Sequence, residues 1–202
     1  MGERRGYALA FACAILVWLG GAQTASAASV DWHDCPAWDV QTSDDNASQA
    51  LFSVFCLVNV QRLNNGLEPL RWNDDLATVA HRMATKMVAE HFVSHTTPEG
   101  KGLKARVRAT GYLPTGDDWS IGENLAWGAG LLSTPAATVY GWMASPEHRV
   151  NILAPDYRDI GLSIVEGSPL TFRDDGWVIV SEFGHSNPEV RASRVITRTR
   201  HS

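Results

Sequence analysis

The chain has 202 residues, 45% hydrophobic and 19% charged, with 17 Gly, 9 Pro and a formal net charge of −5. That length and balance fit one globular domain with processed or loose ends and leave no room for a second full domain. The acidic balance excludes nucleic-acid binding by the chain as a whole, and the basic residues Arg191, Arg194, Arg198 and Arg200 read as a solvated tail over 188–202.

Arg4 and Arg5 precede an apolar run from Tyr7 to Leu19, and Ala25-Ser26-Ala27 supplies the small-x-small pattern that signal peptidases cut. Residues 1–27 are therefore expected to be a signal peptide, with the mature chain beginning at Ala28. The run falls short of the roughly twenty apolar residues that a spanning helix needs, so no transmembrane segment is expected after cleavage. The expected location is secreted or periplasmic. Removal of the leader leaves 15 Lys and Arg against 21 Asp and Glu, a net charge of −6. Cys13 departs with the leader, and Cys35 and Cys56 remain, an even number for an oxidising compartment. A disulfide between them would tie the N-terminal arm to the first helix and stabilise by about 3 kcal/mol. The other reading is a buried free Cys56. No CxxC spacing points to a cysteine zinc site.

Residues 28–46 are polar and broken, an arm rather than an element; Asn46-Ala47-Ser48 is a glycosylation sequon that matters only in a glycosylating host. A helix is predicted over Ala47 to Leu63, with Leu51, Val54, Phe55 and Val58 on one stripe, ended by Asn64-Asn65-Gly66. A linker over 67–72 leads to the N-cap cluster Asn73-Asp74-Asp75. The following helix carries a full core stripe of Leu76, Val79, Ala80, Met83, Ala84, Met87 and Val88. His91 continues that stripe and is expected to be a packed core histidine, whereas His81 lies one step off it and is expected in solvent. His95 follows in a Ser-His-Thr-Thr-Pro-Glu-Gly stretch that reads as loop, where functional side chains concentrate.

A third helix is predicted over about Lys101 to Thr110, closed by Gly111, then a loop from Tyr112 to Ser120 and a short strand from Ile121 to about Trp127. Thr134 as N-cap and Pro135 at the first helical position start a fourth helix, with Ala136, Val139, Tyr140 and Met143 on one face. Ser145-Pro146 repeats the device and starts a fifth, with Glu147 and His148 in its first turn and Asn151 at i+3 from His148. Two extended segments follow, Ile160 to Val165 and Trp177 to Phe183, the second after an Asp174-Asp175-Gly176 turn. Helices first and strands late predict an α+β domain.

The chemistry centres on Ile121-Gly122-Glu123-Asn124-Leu125-Ala126, where a carboxylate stands between residues made for burial. Such a group is costly to desolvate unless a cation, a metal or several donors meet it. His95 and His148 are the candidates to meet it, which makes one shared polar pocket the expectation. Two imidazoles and a carboxylate suit zinc or a similar divalent ion. The structural alternative is a hydrogen-bonded cluster in which Glu123 fixes the imidazoles and Asn124 ties loops together. A His–Glu pair also serves general-base chemistry, but neither Gly-x-Ser-x-Gly nor His-Glu-x-x-His is present.

Taken together, Leu57-Val58-Asn59-Val60-Gln61-Arg62, Gly66 to Trp72, Ser94-His95, Gly122-Glu123-Asn124-Leu125-Ala126, Trp142, Ser145 to Leu153 and Ile160-Gly161-Leu162 resemble the CAP superfamily. This superfamily comprises cysteine-rich secretory proteins, antigen 5 and pathogenesis-related-1 proteins, and its domain is also called SCP. The resemblance is to short bacterial members and spans about Leu51 to Phe183, within a domain expected over 47–187. It implies an α–β–α sandwich with a small antiparallel sheet flanked by helices and a cleft lined by two His and two acidic residues. Carried onto this chain, those are His95, Glu123 and His148; eukaryotic members have a second Glu where Ser145 stands here, and Glu147 is the nearest acid. The expected metal set is His95, Glu123, His148 and Glu147, with Asn124 and Asn151 in support, and His95, Glu123 and His148 as candidate catalytic groups. The eukaryotic disulfides and cysteine-rich C-terminal domain are missing. The resemblance implies a monomeric binding module taking a divalent metal and a lipid, sterol or peptide ligand. The alternatives are an envelope or extracellular hydrolase using the same cleft, and an interaction domain with a vestigial cleft. Non-enzymatic readings are preferred.

Overall fold

The computed structural model describes residues 29–114, 116, 118–171 and 175–186. The expected signal peptide, the basic tail and Asp174 of the expected turn lie outside them. Five helices and four strands follow in the order α1 (Ala47–Asn64), β1 (Arg71–Trp72), α2 (Asp74–Glu90), α3 (Leu103–Arg108), β2 (Trp119–Gly128), α4 (Pro135–Ala144), α5 (Pro146–Ile152), β3 (Asp159–Glu166) and β4 (Trp177–Ser186). The start signals act as their chemistry dictates. Asn73 accepts the Leu76 amide and Thr134 accepts the Ala137 amide, each satisfying a donor that the first helical turn leaves open.

One sheet, ordered β1-β3-β4-β2, forms the middle layer. β4 pairs antiparallel with both β2 and β3, and the short β1, read from sequence as linker, adds a parallel edge to β3. Alternation along β4 divides the core. Trp177, Ile179 and Phe183 join α1, α4 and α5 on one face, and Val178 and Val180 join Ala80, Met83, Ala84 and Met87 of α2 on the other. This is the expected α–β–α sandwich. The layers close tightly because Gly161 lets β3 touch α2: a Cβ there would stand 2.0 Å from the Ala77 amide nitrogen.

Two expectations are corrected. His91 is exposed and caps α2 in the left-handed conformation at φ 52°. The helix stops at Glu90, so the 3.6-residue spacing that would have carried His91 onto the core stripe no longer applies. On α4 the buried face is Pro135, Thr138, Val139 and Trp142, while Tyr140 is 77% exposed. Trp142 sets this rotation, since its indole Nε1 donates to the Leu125 carbonyl at 3.1 Å beneath the helix.

Cys35 and Cys56 form a disulfide that anchors the arm to α1. The buried Arg62 of α1 fastens the opposite end of the same layer. Its Nε donates to the Glu68 carbonyl at 2.8 Å, its Nη1 to Ile152 and Ala154 at 2.8 and 2.9 Å, and its Nη2 to Tyr157 at 3.3 Å. No carboxylate shares in this. The guanidinium is met by backbone carbonyls, among them that of Ile152, the last residue of α5, and that of Ala154 just beyond it, where the helix dipole favours a cation. Arg62→Met is expected to lower the unfolding free energy by about 3 kcal/mol or more, because four acceptors lose their buried donor. Urea unfolding followed by far-UV circular dichroism measures the loss, and Arg62→Lys should recover only part of it.

Candidate functional site

Glu123 sits in the middle of β2, its side chain 2% exposed, and every one of its polar contacts is supplied by a different element. His95, in the loop after α2, places Nδ1 2.7 Å from Glu123 Oε1. Arg106 of α3 donates from Nη2 to Glu123 Oε2 at 2.7 Å and to the His95 carbonyl at 3.2 Å, and from Nη1 to Glu182 Oε1 at 3.0 Å. Glu182 lies directly opposite Glu123 in the β2–β4 register. One guanidinium thus serves two carboxyl groups that face each other across a strand pair, where two like charges are unfavourable. Burial first, then the charge of Glu123, pushes the Glu182 carboxyl well above the usual range, against the pull of Arg106. Glu182 Oε2 is buried and has no hydrogen-bond partner among the described residues, so only its Oε1 is met by Arg106.

The neighbouring residue faces the other layer, as strand alternation requires. Asn124, fully buried, donates to the His148 carbonyl at 3.0 Å and accepts from Asn151 Nδ2 at 2.8 Å. Asn151 Nδ2 also lies 3.1 Å from the Glu123 carbonyl, so α5 is pinned to β2 over one helical turn. Gly122 permits this approach, because a Cβ there would meet Asn151 Oδ1 and Tyr157 Oη at 2.5 Å.

The two histidines feel the site in opposite directions. The hydrogen bond to Glu123 raises His95 above its ordinary value; burial and Arg106 oppose this, and the charges of Glu123 and Glu147 add to it. Burial lowers His148, the charge of His95 lowers it further, and Glu147 partly offsets both. The charges of His95 and His148 and that of Glu147 thus act on one another, and His95 is 59% exposed. The structure therefore brings His95 onto Glu123, sets Asn124 and Asn151 as supports, and leaves Glu147 exposed at the margin. Among the described residues no three His, Cys, Asp or Glu side chains are gathered as a metal-ligand group, and both Glu123 oxygens are already engaged.

Sequence reasoning missed Arg106 and Glu182. Arg106 is one of three cations in Leu103-Lys104-Ala105-Arg106-Val107-Arg108 and nothing in the spacing singles it out. Glu182 did carry a signal, as the lone charge inside the apolar run from Trp177 to Phe183.

In an NMR titration of the imidazole protons, His95 is expected to titrate above about 6.5 and His148 below it. Glu123→Gln should bring the His95 midpoint down. The signs for stability are opposite: His95 stabilises below the unfolded-state midpoint and loses that as pH rises through its raised value, whereas the His148 contribution is present above that midpoint and fades as pH falls through its lowered one.

A profile of the cysteine-rich secretory protein family matches residues 55–183, well over half of the chain. An uncharacterized membrane protein of Bacillus subtilis, YlbC, is 33% identical over 108 residues, 54% of this chain and 29% of its own length. The chain spans well under half the length of the curated Bacillus relatives it matches. An extracellular SCP-domain protein of Bacillus anthracis superposes with a TM-score of 0.54 at 24% identity, covering 70% of this chain and 43% of that one. An outer surface protein of Borrelia burgdorferi gives 0.53 at 22% identity, covering 66% and 90%. At those identities the likeness is one of fold, and the fold is the one described above. With the family profile running from α1 through most of β4, the chain belongs to the cysteine-rich secretory protein (CAP) family.

Proposed function

We propose that this protein is an exported binding module whose cleft takes a divalent metal on His95 and His148. The observation that carries this is the His95 Nδ1 contact with the buried Glu123, whose other oxygen is locked by Arg106. A carboxylate that accepts from one ring nitrogen fixes the tautomer and leaves the other nitrogen as a donor for an ion. Among the described residues His95 Nε2 has no partner. Glu123 is thereby an orienting group, and His95 and His148 are the imidazole donors that would hold zinc, with the remaining positions left to water or a guest. A zinc ion held there would supply a Lewis acid.

Export is supported by the disulfide and by the extracellular and outer-surface proteins that share the fold. Among the described residues no helix is long and apolar enough to cross a membrane. A second ligand, a lipid, sterol or peptide, has room in an apolar groove of about 350 Å³ between the arm, α1 and α4, lined by Trp32, Trp38, Leu57, Val139, Tyr140 and Met143. The same His95–Glu123 pair also supports a second reading, a hydrolase in which His95 is the general base and Glu123 its orienter.

Calorimetric titration of the metal-stripped exported protein, Ala28 onward, with zinc tests the first reading. Binding in the micromolar range or tighter is expected, and is expected to vanish in the His95→Ala/His148→Ala double variant. Absence of binding would make the histidines structural. Turnover of a peptide or ester substrate that disappears in Glu123→Ala, with the fold intact by circular dichroism, would favour the hydrolase.

A further inference from the structure

Charge is unevenly distributed along this chain. Residues 82–108 carry Arg82, Lys86, Lys101, Lys104, Arg106 and Arg108 against Glu90 and Glu99, a local excess of positive charge in a chain whose net charge is −5. The segment spans most of α2, the loop that bears His95, and α3, so the cations gather where α2 and α3 pack together. There the surface opens into a groove of about 420 Å³ whose lining includes Val79 and Met83 together with Arg82, Lys86 and Lys101 and one acid, Glu99, which Lys86 neutralises. Val79 and Met83 are 2% and 1% exposed, so the apolar part is recessed and the charged part stands around it.

The cations are not equally committed. Lys86 is held by Glu90 and Glu99. Arg106, which also lines the groove, is held by Glu123 and Glu182, yet its side chain is 9% exposed and its buried Nε–H has no acceptor. Arg82 and Lys101 make no ion pair with any described residue, and their charges face solvent. A recessed apolar floor beneath uncommitted cations calls for a ligand that projects an apolar group inward and presents anions at the same time.

We propose that the α2–α3 groove is a docking site for an acidic peptide segment of a partner protein, one apolar side chain entering over Val79 and Met83 and flanking carboxylates resting on Arg82 and Lys101. An anionic membrane surface fits less well. Among the described residues none of the large exposed apolar side chains belongs to this groove, so nothing there projects into a bilayer. The groove shares Arg106 with the His95–Glu123 contact, but the proposal does not depend on a metal there.

Selection of a phage-displayed random heptapeptide library on the immobilised exported protein tests the inference. Enriched sequences are expected to carry at least two acidic residues around an aromatic or aliphatic one. A synthetic peptide of that consensus should bind the Arg82→Glu/Lys101→Glu variant about tenfold or more weakly. Its neutral Gln/Asn counterpart should bind the unaltered protein poorly. Ala105→Trp, which fills the groove without touching the charges, should also block binding, and unaltered far-UV circular dichroism in both variants separates loss of the site from loss of the fold. An enriched set without acidic residues, or a consensus peptide that binds the charge-reversed variant equally well, overturns the proposal. It is also overturned if phosphatidylglycerol vesicles bind the protein and the consensus peptide does not compete.

Discussion

Two carboxyl groups facing each other across the β2–β4 pair with one guanidinium between them form the arrangement on which the site depends. Burying both as anions beside a single cation would leave an excess negative charge in a water-poor layer, and burial with the charge of Glu123 pushes the Glu182 carboxyl well above the usual range. Arg106 bridges the two carboxyl groups with one Nη on each, which leaves Glu123 one oxygen to turn toward His95. The half-exposed imidazole is therefore met by a carboxylate that the layer beneath it already holds.

The sandwich gives this arrangement its two sides. Strand alternation sends Glu123 to the α2–α3 layer and Asn124 to the α1–α4–α5 layer, so adjacent residues of one strand hold the His95 loop with α3 on one face and α5 on the other. Glycine is needed at Gly122 and Gly161 because α5 and α2 come to the strands closer than a methyl group allows. The family match and the fold likeness agree with this architecture, while the long relatives show that the domain also serves within larger proteins.

Much of this was legible in the residues. The caps at Asn73 and Thr134, the α2 stripe, the disulfide pair and the His95–Glu123 meeting all follow from local patterns or simple electrostatics. What escaped was tertiary. The face of α4 turned on where the Trp142 indole finds a carbonyl, and the fate of His91 turned on a helix ending one residue earlier. Arg62 and Arg106 look like any surface cation in the sequence, because their acceptors lie far along the chain. The parallel β1 escaped because two residues are too few to carry a period.

Arg62 also bears on how the cleft can respond. By holding the carbonyls at the end of α5 and just beyond it, Arg62 fastens the helix that carries His148, and Asn151 fastens it again from the strand side. His95, by contrast, hangs from a loop through one side-chain contact. The two sides of β2 are thus fastened unequally, α5 by several buried hydrogen bonds and the His95 loop by few, and local opening is expected to begin on the loop side.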